Sequence, residues 1–148
     1  MPIGAPTMRE AERLTGRPYC PRTHDCMHLA VAAQRELWGR QVAGAVPARH
    51  PVRADDQAAW VDAWAGRVAR RLPGGQAPHS GCAVLFHLAE QWHIGTLLVD
   101  ALGQHWVLHI RDDGMGSRIE PLRALAARGL HPEGFYDWID DADHPGHR

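Results

Sequence analysis

From residue 82 onward the apolar residues of this chain stop recurring every three or four positions. They come instead in short runs separated by turn residues. That change of period most constrains the fold, because a pattern written for strands does not sit as a helix. Residues 82–88 follow Ser80 and Gly81, residues 92–99 form a second run and residues 104–110 a third, with a turn at 100–103 between the last two. Residues 117–120 make a fourth short strand and 134–139 a last one. Between them Pro121 opens a short helix through Ala127, which Gly129 closes.

Before residue 82 the period is helical. Thr7 caps a short helix, Glu10 completes a capping box, and Met8, Ala11 and Leu14 are its apolar positions. Asp25 caps a second helix that starts at Cys26 and stops at Gly39, with Leu29, Ala33 and Leu37 on one face. Residues 40–54 contain Pro47 and Pro51 and read as irregular. A further helix is expected from Asp55 or Asp56 to Leu72, with Val61, Trp64, Ala65, Val68 and Leu72 on one side and Arg67, Arg70 and Arg71 near its C-terminal end. Trp60 and Trp64 read as packing residues there. Helices first and an antiparallel meander second make the class α+β. The length fits a single domain, 1–148, with a core over about 8–139 and a polar tail, 140–148.

Sixteen basic and 17 acidic residues leave a net charge of -1, so nothing points to nucleic acid. The chain has no run of about 18 apolar residues to span a membrane. It has no basic segment followed by an apolar one at its start, so synthesis in the cytoplasm without a signal peptide is expected. Three cysteines, at 20, 26 and 82, are too few for a disulfide scaffold.

The placement of Cys26 at a helix's first turn suggests chemistry. Free backbone N–H groups and the helix dipole favour negative charge there, and the thiolate is the nucleophilic form. A cysteine nucleophile needs a base and the base an orienter. If residues 100–102 close the hairpin with Gly103 opposite Val99, then 97 faces 105, 95 faces 107 and His93 faces His109. Their Cβ atoms would then be about 4.5–5.5 Å apart. His105 would stand roughly 13 Å away, at about 3.3 Å per residue. Gly95, on the same face as His93, would leave room for the Cys26 helix to approach. A rival reading takes the alternation His24, Cys26, His28, joined by Cys20 and Cys82, as metal ligands, but the spacing matches no usual zinc pattern. Neither a metal nor any other cofactor is expected.

Five stretches, in this order, resemble the NlpC-type cell-wall cysteine peptidases, a papain-like group, and especially their phage-tail branch. They are Gly16-Arg-Pro-Tyr19, Asp25-Cys26 with Gly39 at the helix end, 81–86, His93-Ile-Gly95 and Trp106-Val-Leu-His109. The resemblance covers about 8–139. It implies a papain-like NlpC-type fold with N-terminal helices packed on an antiparallel sheet. It implies Cys26 as nucleophile, His93 as base, His109 as the polar third member and Tyr19 as a helper around the nucleophile and oxyanion. The implied activity is hydrolysis of peptidoglycan stem peptides by a cysteine endopeptidase. The implied partners are that peptide and phage tail proteins, and the implied place is the virion, at the tail tip, during cell-wall penetration. The alternative is a catalytically weak or inactive structural tail protein on the same fold, with Trp38, Trp60, Trp64 and Trp138 supplying interface residues. Two departures stand out: His28 occupies a position usually small in the family, and Cys82 stands where Asp is usual.

Overall fold

Local capping chemistry starts both N-terminal helices in the computed structural model, which describes residues 6–20, 23–42, 68–88 and 91–139. Helix α1 (Met8–Ala11) begins where Thr7 Oγ1 accepts the Glu10 N–H at 3.1 Å, and it tightens into a 3-10 turn over Glu12–Leu14. Helix α2 (Cys26–Trp38) begins at Asp25, whose Oδ1 accepts the His28 N–H at 2.9 Å. Gly39 ends it in the left-handed region at φ 67°, where its N–H and that of Arg40 cap the carbonyls of Arg35 and Gln34.

Six strands follow: β1 (Ala69–Arg71), β2 (Ala83–Leu88), β3 (Gln91–Val99), β4 (His105–His109), β5 (Arg118–Pro121) and β6 (Pro132–Trp138). Helix α3 (Leu122–Ala127) lies between the last two. The strands form one antiparallel sheet in the order β1-β6-β2-β3-β4-β5. The class is therefore α+β.

Strand alternation divides the core in two. On one face α2 lays Met27 and Ala30 against Ala83, Leu85, Ile94, Tyr136 and Trp138. The same helix lays Leu29, Ala33 and Leu37 against Leu98, Leu108 and Ile110. The opposite face carries Cys82, Val84, Phe86, Leu97 and Val107, covered by Leu125 of α3 and by Leu130. Trp138, read from the sequence as an interface candidate, is buried in the α2-side core. Trp38 is half-buried and fills the space that a side chain at Gly81 would need. Among the described residues, no helix is long and apolar enough to cross a membrane.

One expected element changes. The helix anticipated from Asp55 or Asp56 to Leu72 does not reach Leu72, because Ala69–Arg71 is the edge strand β1, paired with β6 through Ala69–Trp138 and Arg71–Tyr136. Arg71 bonds Glu133 and the Tyr136 hydroxyl instead of capping a helix end. Long-range pairing outweighs the local helical pattern here. Trp60, Trp64 and the rest of that helix lie outside the described residues, as do 43–54 and the tail.

Candidate functional site

Hairpin geometry decides which histidines meet. Asp100 Oδ1 accepts the N–H groups of Leu102 and Gln104 at 2.9 and 2.8 Å, and its Oδ2 accepts Trp106 Nε1–H at 2.9 Å. Gly103, at φ 79°, is the third loop residue, so Val99 faces His105 rather than Gly103. The register therefore differs by two residues from the expected one. The paired residues end at Thr96–Leu108, and a Cβ on Gly95 would lie 3.4 Å from that of His109. His93 and His109 still meet as diagonal neighbours, with Nε2 of His93 2.9 Å from Nδ1 of His109 and the rings edge to face at 5.1 Å. His105 stays at the hairpin end. The missing side chain of Gly95 serves β4, not α2: a Cβ there would lie 2.4 Å from Val107 Cγ1.

The row has a third member that sequence reasoning missed. Glu120 of β5 stands opposite Val107, hence on the same face as His109, and its Oε2 lies 2.6 Å from His109 Nε2. Arg118 Nε bonds the same oxygen at 3.0 Å, and Arg128 reaches Oε1 at 2.8 Å. Burial acts to raise the Glu120 pKa, but hydrogen bonds from His109, Arg128 and Arg118 outweigh it and hold the carboxyl below its usual range. Its only sequence signal is a carboxylate two positions after Arg118 on a strand.

Protonation follows from that end of the row. An ionised carboxylate only accepts, so His109 Nε2 carries a hydrogen and donates to Glu120. Burial lowers the His109 pKa, and its bond to Glu120 only partly offsets this. The ring is then neutral and its Nδ1 accepts from His93 Nε2–H. Burial, followed by the charges of His109, Arg111 and Arg118, holds His93 well below the usual histidine value. The lone pair of His93 is left on Nδ1.

Cys26 approaches from the other side of β3. It packs with the α2-side core, and the Ile94 N–H, one peptide bond from His93, bonds to the thiol. Burial pushes the thiol up to about 11, the negative charge of Asp25 adds to this, and backbone bonds from Ile94, Met27 and Cys26 itself partly counter it. Among the described residues, no hydrogen bond joins Cys26 to either imidazole. Tyr19 packs against the same cluster as Cys26, and its pKa is raised first by burial and then by the charges of Cys26 and Asp25. His28 lies against its own cap, with Nδ1 2.7 Å from Asp25 Oδ1.

Cys20, Cys26 and Cys82 are all free thiols. Cys82 is fully buried on the sheet face away from α2, where burial raises it to about 12, so it cannot share a ligand set with Cys26. Cys20 and His24 bond each other's backbones in a tight turn leading into Asp25. Among the described residues, no group of three His, Cys, Asp or Glu side chains is placed to hold a metal ion. Comparison with known proteins finds no matching family model, no matching curated protein and no matching solved structure.

Proposed function

We propose that this domain is a papain-like thiol hydrolase of the NlpC type that cleaves amide bonds in peptidoglycan stem peptides, as a phage tail-tip component acting during cell-wall penetration. The observation that carries the reading is the Glu120–His109–His93 row, whose polarity leaves one imidazole lone pair on Nδ1 of His93, the residue before Ile94, which packs in the same cluster as the helix-capped Cys26. The order of motifs along the chain supports the substrate class and the setting.

The thiol and the imidazole are both neutral at rest, so the thiol proton moves to His93 Nδ1 as the sulfur attacks the substrate carbonyl. The developing oxyanion is held at the α2 N-terminus by the Cys26 N–H. His93 then passes the proton to the departing amine as the C–N bond breaks. Water hydrolyses the thioester with His93 again as base. Tyr19 packs against the same apolar cluster as Cys26.

The test is release of new amino groups from purified peptidoglycan. Wild type is expected to release them and Cys26→Ser to release none while keeping its circular dichroism spectrum. Full activity in that variant overturns the mechanism. A second reading, a structural tail protein on the same fold, is favoured by a neutral thiol and a neutral imidazole that no hydrogen bond joins. Silence of both wild type and Cys26→Ser in the same assay would select it.

A further inference from the structure

We infer that His28 is a positioning residue of the proposed reaction: by pairing its ring with Asp25, it decides how much negative charge stands beside the Cys26 thiol. The inference rests on Cys26 being the reacting thiol. Its basis is the first turn of α2. Asp25 Oδ1 accepts the His28 N–H at 2.9 Å, so the carboxylate is folded back over the turn that Cys26 opens. Asp25 is only 2 % exposed, and little water screens its charge from the sulfur.

The His28 ring lies against that same oxygen. Its Nδ1 is 2.7 Å from Asp25 Oδ1 and 3.3 Å from the Asp25 nitrogen. The two contacts make opposite demands. An ionised carboxylate only accepts, so the contact at 2.7 Å needs a hydrogen on Nδ1, whereas the Asp25 N–H needs a lone pair there. The shorter, charge-assisted contact prevails, and His28 Nδ1–H donates to Asp25. A further proton then goes to Nε2, and the ring becomes a cation already seated on its counter-ion. The Asp25–His28 pair is neutral with that proton and negative without it.

The groups around this pair are His24 and Arg17 from the segment before α2, Tyr19 and Cys20 beside the cap, Asp112 from the loop after β4, and Cys26 itself. His93 of β3 precedes Ile94, whose N–H bonds the thiol. Arg17 keeps its charge throughout and is paired with Glu36. Burial, then the charges of Arg17 and His28, lower His24. Asp25 makes the Cys26 thiol harder to ionise, and a protonated His28 removes that opposition. Histidine changes charge between about pH 5 and 8, so the aid comes on the acidic side, where thiolate is scarcest. His28 thus levels the reactivity of Cys26 across that range.

The test is alkylation of the full chain by iodoacetamide, read at Cys26 by peptide mass mapping. His28→Gln keeps the capping box, since glutamine there can still bond the N-cap N–H, but it takes up no proton. Wild type is expected to react about threefold or more faster than His28→Gln at pH 5.5, and equally fast at pH 8.5. His28→Ala, which keeps the bond from the residue 28 N–H to Asp25, should match His28→Gln. His24→Gln should match wild type at both pH values. Other titrations near the thiol are common to all these chains and cancel in the ratio.

Equal rates for wild type and His28→Gln at both pH values overturn the inference. So does a loss at pH 5.5 in His24→Gln as large as that in His28→Gln. Alkylation needs no turnover. If the ratio holds and wild type hydrolyses nothing, the hydrolase reading falls and the charge pairing stands. If wild type hydrolyses peptidoglycan and the rates are equal, this inference alone falls.

Discussion

Glu120 fixes the direction of two hydrogen bonds, only one of which it makes itself, and so chooses the nitrogen on which His93 keeps its lone pair. Glu120→Gln tests this, because an amide can turn its NH₂ toward His109 Nε2 and reverse the row. On the proposed function, turnover should fall about a hundredfold with little change in KM, read on a soluble stem peptide. Stability should fall by about 1–3 kcal/mol in urea, since Arg118 and Arg128 would face a neutral group. Equal turnover in the variant would mean the row does not set the base. At this scale the sequence was informative where chemistry is local. Asp25 before Cys26 announces a cap, and the structure carries that cap. Glu120 was not legible, because it joins His109 only through a pairing of β4 with β5 that no local pattern encodes.

The first turn of α2 does two opposed things: Asp25 holds the helix start, and its charge makes the neighbouring thiol harder to ionise. Asp25→Asn separates them. Asparagine caps about as well as aspartate, so stability should stay within about 1 kcal/mol. Alkylation of Cys26 by iodoacetamide at pH 8 should become severalfold faster, and an unchanged rate would show that the Asp25 charge does not reach the sulfur. The β3–β4 hairpin separates glycine roles in the same way. At Gly103 a Cβ meets no atom within 4 Å, so Gly103→Ala should cost only about 1–2 kcal/mol of left-handed backbone strain. At Gly95 the Cβ runs into Val107, so Gly95→Ala should cost about 1–3 kcal/mol and spread the strands at His109, seen as loss of the His93–His109 coupling by NMR. Gly103 also explains the register. The sequence showed a left-handed glycine at the turn, but not whether it closes the loop or opens the strand. That one choice shifts every pair by two. The meeting of His93 with His109 survived because diagonal partners across a sheet are still in reach.

The switch from helical to strand period was legible because it extends over long stretches, and it sufficed for the α+β class. It could not show that the residues before Leu72 join the sheet edge, nor which sheet face α2 would cover. The covering of both faces sets how the whole molecule responds to pH. His93 and His109 are 5 % and 1 % exposed, and burial lowers the pKa of each. For a base lowered in the folded state, the unfolded chain takes up its proton first. Stability is therefore full above about pH 6.5 and declines as pH falls below it. The lowered carboxyl of Glu120 adds a second decline below about pH 4.5, as its bonds to His109 and Arg118 are lost by protonation. On the alkaline side the sign reverses. Cys26 and Cys82 are acids raised to about 11 and about 12, so the unfolded chain ionises first and stability declines as pH rises beyond about 8.5. Urea unfolding under reducing conditions at pH 5.5, 7.5 and 9.5 should give its highest midpoint at pH 7.5. His93→Gln should flatten the acidic limb without touching the alkaline one, and Cys82→Ala should do the reverse. A wild-type chain more stable at pH 5.5 than at 7.5 would mean that the two imidazoles are charged in the folded state. His109 Nδ1 would then carry a hydrogen and could not accept from His93, and the hydrogen-bond direction on which the proposed base depends would be lost.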